Sequence, residues 1–370
     1  MALRYRAAVL HAPQTPLSVE TVTAASLKPT DVLVRIRAAG LCHTDLEVIE
    51  GSLRYPLPIV LGHEAAGVVE QAGPAARGVK IGDHVVLSWN PHCGHCFYCD
   101  RDSPILCEEY LGGGPQGRAF DGESRAMLAD GRELQQLMFL GSFGEYCIVR
   151  DQQAIPIPKE VPFDRACLIG CGVMTGVGAA LNLGAIAHGD TVMVIGCGAV
   201  GLAAVQGARL AGAGAIIAVD LDPAKLALAA RMGATHGVNA STDDVTAAGR
   251  RETGGRGVDV VIESAGSASA FRTTPEAVRP GGQVIWLGKI DVNQDVSFRW
   301  GSLMQEKRIR RVSYGNARPR RDFPLLARAY LDGSLLLDEL ISRRITLDEI
   351  NDGFAALKQG KTIRSVIAFD

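Results

Sequence analysis

The chain has 370 residues, 47% hydrophobic and 21% charged, which excludes disordered, collagen-like and coiled-coil chains and favours two domains. Its 38 Lys and Arg against 40 Asp and Glu leave a formal charge of −2, so no overall field draws it to nucleic acid or an anionic membrane. Nine cysteines are too few for a disulfide scaffold and odd in number, and their spacing must decide their role.

From Tyr5 to about Ile155, short β-like runs alternate with Gly and Pro, among them Val32 to Ile36, Ala66 to Glu70 and His84 to Leu87. This half is predicted to be mostly β. Two segments interrupt it: a Cys/His-rich loop from Pro91 to Cys107, and a Gly-rich polar insertion from Gly112 to about Gln136, expected as a surface excursion or an oligomer contact. From Gly189 onward strands are predicted at Thr191–Ile195, Ala215–Asp220, Val258–Glu263 and Gly282–Leu287, with helices from Val200 and Pro223. That alternation predicts a parallel α/β sheet. The apolar stretch Val192 to Val219 raises a membrane-spanning reading, but it carries Gln206, Arg209 and six glycines. A buried strand, helix and strand explain it better. The last fifty or so residues revert to helix, turn and strand, ending in Ile363 to Phe369, and are expected to return to the first domain. A basic run holds Lys307, Arg308, Arg310, Arg311, Arg318, Arg320 and Arg321; on a near-neutral chain the expectation is a solvated strand and loop rather than a site for an acidic partner. The N-terminal residues show no apolar core or small-residue cleavage site, so a cytoplasmic location is expected.

Cys93, Cys96, Cys99 and Cys107 follow C-x2-C-x2-C-x7-C, a spacing that gathers four thiolates in one loop as structural zinc requires. An iron–sulfur cluster and four unconnected thiols are the rival readings. Cys42 in L-C-H-T-D, His63 in L-G-H-E and Cys171 in I-G-C-G are each weak alone. Together they form the Cys2His set of a catalytic zinc, with a fourth position open. Gly196-Cys197-Gly198-Ala199-Val200-Gly201 is G-x-G-x-x-G between a predicted strand and helix, and a second strand ends in Asp220. Gly196, Gly198, Val200 and Gly201 would cradle a pyrophosphate at the helix N-terminus, and Asp220 would accept from ribose hydroxyls while repelling a 2′-phosphate. NAD is therefore expected over NADP.

The strings G-L-C-H-T-D, G-H-E-A-A-G-V-V-E, the four-cysteine loop, L-I-G-C-G-V-M-T-G and the terminal I-R-S-V-I together resemble the zinc-dependent alcohol dehydrogenases of the medium-chain dehydrogenase/reductase family. The resemblance implies an α/β chain: a GroES-like, mostly-β catalytic domain over residues 1–174, a Rossmann NAD-binding domain with a doubly wound parallel sheet over 175–316, and a segment 317–370 returning to the catalytic domain. It implies that Cys42, His63 and Cys171 hold a catalytic zinc and the four loop cysteines a structural one. Glu64 resembles the family's acidic residue behind the zinc, and Asp45 the carboxylate that orients the ligand imidazole. Thr44 resembles the first proton acceptor. The relay of many family members ends at a histidine where this chain has Glu47, whose lower ordinary pKa suits neutral pH less well. Lys225, Arg364, His43 and Thr175 resemble cofactor contacts.

For the substrate, Trp89 resembles an aromatic pocket position, and Phe139 and Leu140 suggest an apolar channel. The expected reaction is hydride transfer between a primary alcohol or aldehyde, aromatic or medium-chain, and NAD. The expected assembly is a homodimer, with a tetramer as the alternative, and neither nucleic acid nor membrane is expected as a partner. Two rivals stand beside this reading. One is a dehydrogenase of a thiol–formaldehyde adduct, for which Arg118 and Arg125 could recognise the carrier although Leu53 stands where a carboxylate is usual; the other is a non-catalytic nucleotide-binding protein of the same fold. Cys147, Cys167 and Cys197 are expected to be ordinary packing.

Overall fold

The computed structural model describes residues 2–113, 116–119 and 121–370; residues 114, 115 and 120 of the predicted insertion lie outside them. The chain divides into two compact units, one running to Cys171 and resuming over Arg318–Asp370, the other Gly172–Ala317.

The first unit is built from β-rich sequence with short, turn-separated runs. Strands Arg4–Leu10, Ser18–Ala24, Ala126–Met127, Glu133–Gln136 and Ile59–Val60 close a barrel in that order. The insertion is thus not only a surface excursion. Its two short strands complete the barrel, because its few apolar residues Ala126 and Leu134 face inward and are buried. Runs of two and four residues in polar sequence give too short an alternation for the pattern to be read in advance. A second sheet runs Ala154–Pro156, His84–Leu87, Ala65–Ala72, Asp31–Gly40, Ser365–Ala368 and Arg343–Ile345, with Tyr146–Arg150 also paired to Asp31–Gly40. The C-terminal strand lies antiparallel to Asp31–Gly40, with Val366 opposite Gly40. That register delivers Arg364 to the loop that follows Gly40.

The second unit is a six-stranded parallel sheet in the order His236–Asn239, Ala215–Asp220, Thr191–Ile195, Val258–Glu263, Val278–Trp286 and Arg308–Arg311. Helices cover the central strands, so every residue of Thr191–Ile195 is buried and its sequence is apolar from Val192 on. The stretch 192–219 is strand, helix Ala199–Leu210 and strand. A different helical stretch, Phe163–Leu183, is apolar and long enough to cross a membrane, and 78% of its most apolar window is buried within the protein, as in a core helix.

The basic run is dispersed by this architecture. Arg308 and Arg311 donate to the carbonyls of Gly281 and Trp286 in the second unit. In the first unit, Arg318 pairs with Asp102, Arg320 donates to the Asp151 carbonyl and Arg321 pairs with Asp322. Lys307 lines a cavity in the second unit.

Arg125 is buried, with Nε 2.8 Å from Asp31 and Nη2 2.8 Å from Asp121. Arg125→Ala would strand the buried Asp31 carboxylate and should lower unfolding free energy by about 3–5 kcal/mol. Asp121→Asn, at a partly exposed position, should cost about 1 kcal/mol or less. Urea unfolding of the two variants checks the order.

Candidate active site

The loop after Asp31–Gly40 enters helix His43–Glu50, and Cys42 is its N-cap. Asp45, three residues on, closes a capping box: its Oδ2 accepts from the Cys42 backbone N–H at 3.2 Å. Its Oδ1 accepts from Gly62 N–H at 2.9 Å and lies 3.2 Å from His63 Nδ1. With Nδ1 held by Asp45, His63 presents Nε2 to the two cysteines. One fully buried carboxylate therefore positions two metal-ligand candidates that lie 21 residues apart in sequence.

Ligand atoms of Cys42, His63 and Cys171 lie within 4.8 Å of one another. Protonation of the set follows from its crowding. A hydrogen bond with Cys171 holds the Cys42 thiol well below its ordinary value against the effect of burial, with Arg364 and His63 adding to the fall. The same contact and burial push Cys171 up. Burial disfavours a charged His63, but Asp45 and Cys42 outweigh it and raise the imidazole to about 10. Such mutual dependence of thiols and imidazole is what a shared cation resolves, since it replaces the protons.

Behind this set lies Glu64, fully buried, with neither carboxylate oxygen hydrogen-bonded among the described residues. Burial raises it to about 8 against the pull of Arg364, whose Nε is 3.5 Å from Oε1. Arg364 is itself buried and donates to the Leu41 carbonyl at 2.8 Å. Gly40 makes room for the carboxylate, because a Cβ there would stand 2.9 Å from the Glu64 Cδ. Thr44 is buried on the first turn of the helix, Glu47 is half-buried on the next, and His43 is exposed.

The four loop cysteines Cys93, Cys96, Cys99 and Cys107 form a second group whose ligand atoms lie within 4.8 Å. Backbone N–H groups already serve its sulfurs: Cys93 N donates to Cys107 Sγ at 3.2 Å and His95 N to Cys93 Sγ at 3.5 Å. Backbone donors near Glu108 and Cys99 lower the Cys96 thiol to about 6. Four soft donors around one point, with N–H groups aimed at them, fit structural zinc. His95 turns its Nδ1 to the Cys93 carbonyl. The other three cysteines are buried packing: Cys147 donates to the Leu140 carbonyl, Cys167 to that of Asp164 and Cys197 to that of Val219.

Cys107 leads directly into helix Glu108–Gly113, which places Tyr110 6.0 Å from the Trp89 ring and 5.7 Å from Phe139. Burial raises Tyr110, and Tyr55 beside it is raised to about 12. Tyr110 and Tyr55 escaped the sequence analysis. Their only signal was three residues' distance from a candidate ligand and a Pro-rich loop, which say nothing of facing Trp89. Leu140 is fully enclosed, its carbonyl taken by Gln136 and Cys147. Arg118 pairs with Glu133, and Arg125 is consumed by Asp31 and Asp121, so neither cation proposed for a thiol carrier is unpaired.

In the second unit Gly196 has φ 92°, open only to glycine without strain, and a Cβ there would lie 2.6 Å from Ala265 N. A Cβ on Gly201 would collide with the Gly196 carbonyl, whereas Gly198, the N-cap of helix Ala199–Leu210, faces open space. Val200 is half-buried in the first turn. Asp220 closes the turn: Oδ2 accepts from Cys197 N–H at 2.7 Å and Oδ1 from Asp222 N–H at 3.0 Å. Lys225 is near enough to Cys197 to oppose the rise in its thiol pKa. Thr175 is half-buried in helix Met174–Gly178.

A barrel-bearing unit with a Cys2His set and a four-cysteine loop, and a parallel-sheet unit with a glycine turn closed by a carboxylate, define a metal-containing dinucleotide-dependent oxidoreductase. Residues 28–159 match the alcohol dehydrogenase GroES-like domain and residues 199–331 the zinc-binding dehydrogenase domain. The chain belongs to the zinc-dependent alcohol dehydrogenases of the medium-chain dehydrogenase/reductase family. It is 36% identical to S-(hydroxymethyl)glutathione dehydrogenase of Aspergillus oryzae over 98% of this chain and 95% of the relative. Among solved structures, an alcohol dehydrogenase zinc-binding domain protein from Burkholderia ambifaria is 36% identical with a TM-score of 0.96, covering 100% of both chains. Benzyl alcohol dehydrogenase from Acinetobacter calcoaceticus is 31% identical with a TM-score of 0.94, again over 100% of both.

Asp45→Asn keeps the side-chain volume but loses the charge that holds His63. It should weaken zinc at the Cys42 set by about 10–100-fold while sparing the four-cysteine zinc. Competition with a chelator, followed by metal analysis, checks this.

Proposed function

We propose that the protein oxidises primary alcohols, and reduces the corresponding aldehydes, with NAD as hydride partner. The observation that carries this reading is the convergence of Cys42, His63 and Cys171 within 4.8 Å over the buried Glu64. These three residues would hold the catalytic zinc, and Cys93, Cys96, Cys99 and Cys107 the structural one. Bound there, zinc supplies Lewis acidity that makes an alcohol proton removable near neutral pH. Glu64, buried behind the ligands and raised to about 8 by that burial, lies against Arg364, whose charge favours its carboxylate form. Asp45 keeps the imidazole orientation constant through turnover.

The proton released from the alcohol goes to the Thr44 hydroxyl, buried two residues after Cys42. Glu47, half-buried one turn further along the same helix, carries it to solvent in place of a histidine. Gly196, Gly198, Val200 and Gly201 would hold NAD through backbone donors, Asp220 at the ribose, and Lys225, Thr175, His43 and Arg364 at its remaining groups; bound there, it would supply the hydride acceptor. Because Asp220 already spans two backbone N–H groups, its position is fixed before a ribose arrives.

Trp89, Tyr110 and Phe139 form an aromatic cluster suited to an aromatic alcohol, and Leu140, next to Phe139 in the chain, is fully buried. Benzyl alcohol dehydrogenase from Acinetobacter calcoaceticus supports that choice. A second reading, oxidation of a hydroxymethyl–thiol adduct, is favoured by relatives named S-(hydroxymethyl)glutathione dehydrogenase. The pairing of Arg118 and Arg125 with Glu133, Asp31 and Asp121 speaks against those residues as carrier contacts. A homodimer in a reducing, cytoplasmic compartment completes the proposal, in keeping with nine unpaired cysteines.

NADH formation across aliphatic and aromatic alcohols, and with formaldehyde plus glutathione, decides between the two. Turnover of benzyl-type alcohols without thiol is expected; turnover confined to the thiol arm would overturn the main reading. Cys42→Ala should abolish activity and remove one of about two zinc ions while leaving the fold intact. Asp220→Asn should raise KM for NAD and lower that for NADP, by removing a charge that opposes a 2′-phosphate.

A further inference from the structure

At the end of the parallel sheet opposite the glycine turn, the second unit holds a cavity of about 700 Å³. Four cations line it, Arg250, Arg256, Arg279 and Lys307, against one carboxylate, Glu276. They come from elements remote in sequence: the helix Val245–Arg251, the turns before Val258–Glu263 and before Arg308–Arg311, and the first residues of Val278–Trp286. The catalytic reading uses none of them.

Two of the five charges are already satisfied. Arg279 Nε is 2.6 Å from Asp259, and its Nη1 donates to the Pro280 carbonyl. Glu276 is held by Arg299 at 2.8 Å and by the Ser302 hydroxyl. Lys307 donates only to a neutral group, the Pro275 carbonyl, at 2.6 Å. Burial lowers its pKa, and Arg250 and Arg299 deepen the fall although Glu276 opposes it. The guanidiniums of Arg250 and Arg256 have no hydrogen-bond or ion-pair partner among the described residues. Three cations thus face one space without a carboxylate of their own. Gly255 and Gly301 also line it, with open space where a Cβ would stand.

A fixed concave surplus of positive charge focuses field into the cavity and costs energy until an anion fills it. Planar guanidinium forks match phosphoryl oxygens in pairs, and an ammonium serves as a point charge beside them. The volume falls in the range of small-molecule sites. We propose that this cavity binds a small molecule bearing a diphosphate group, at Arg250, Arg256 and Lys307, separately from the dinucleotide turn. Arg279 and Glu276, each anchored, form the walls and leave Glu276 to accept from a hydroxyl of the same ligand.

The probe is inorganic pyrophosphate, titrated calorimetrically into zinc-loaded enzyme already saturated with NADH. One site per chain is expected. In the double variant Arg250→Ala/Arg256→Ala, affinity should fall at least about tenfold, with dehydrogenase activity and NADH affinity unchanged. The Arg250→Lys/Arg256→Lys variant, which keeps charge but not the fork, should fall between. Three results would overturn the proposal: pyrophosphate binding that disappears when NADH is present, binding that the alanine variant leaves untouched, or a protein that ignores pyrophosphate and takes only long oligonucleotides.

Discussion

The buried carboxylate of Asp45 is the constraint on which the candidate site depends. Its two oxygens serve the Cys42 backbone, the Gly62 backbone and the His63 ring at once. The first contact is local to the helix cap and the other two reach 17 and 18 residues along the chain, so together they bring the helix N-terminus and the His63 loop into one arrangement. A buried acceptor with three donors loses little by being out of water, which is why this polar side chain can sit at zero exposure here. Were it removed, the helix would lose its cap and the imidazole its orientation in the same stroke.

Around that point charge is layered. Glu64 lies buried with its oxygens unsatisfied by hydrogen bonds, Arg364 stands beside it, and the thiols of Cys42 and Cys171 share one space. Gly40 provides the clearance and the C-terminal strand supplies the arginine, by a register in which Val366 faces Gly40. The end of the chain therefore belongs to the site as much as the loop near residue 42 does. The four-cysteine loop has a parallel role at a distance. By leading straight into the helix of Tyr110 it sets an aromatic ring against Trp89, which ties the order of a metal loop to the shape of an apolar surface.

The arginines illustrate how little composition says about use. Arg118, Arg125, Arg318 and Arg321 all find carboxylates, whereas Arg250 and Arg256, which no motif marked, stand without them. A basic run read along the chain became separate ion pairs and carbonyl contacts in two units. A basic cavity arose instead from four segments, of which only that of Lys307 belongs to the run.

What the sequence determined by itself was whatever depends on short range. The strands Thr191–Ile195, Ala215–Asp220 and Val258–Glu263 were legible because strands buried on both faces are predominantly apolar, each here carrying an uninterrupted run of at least three apolar residues. The glycine turn was legible because Gly196 and Gly201 occupy places where a Cβ would strike backbone, and the four-cysteine loop because its ligands lie within fifteen residues. The capping residue Asp45 could be named from its family motif, though not its third partner at Gly62. Tertiary structure alone decided the rest. It turned the polar insertion into barrel strands, consumed Arg125 in a buried pair, set Tyr110 against Trp89 and gathered the cations around the cavity. Those outcomes depend on which segments meet across long sequence separations. Local propensity carries no record of that, because the contacts stabilise only once the whole sheet and barrel have closed.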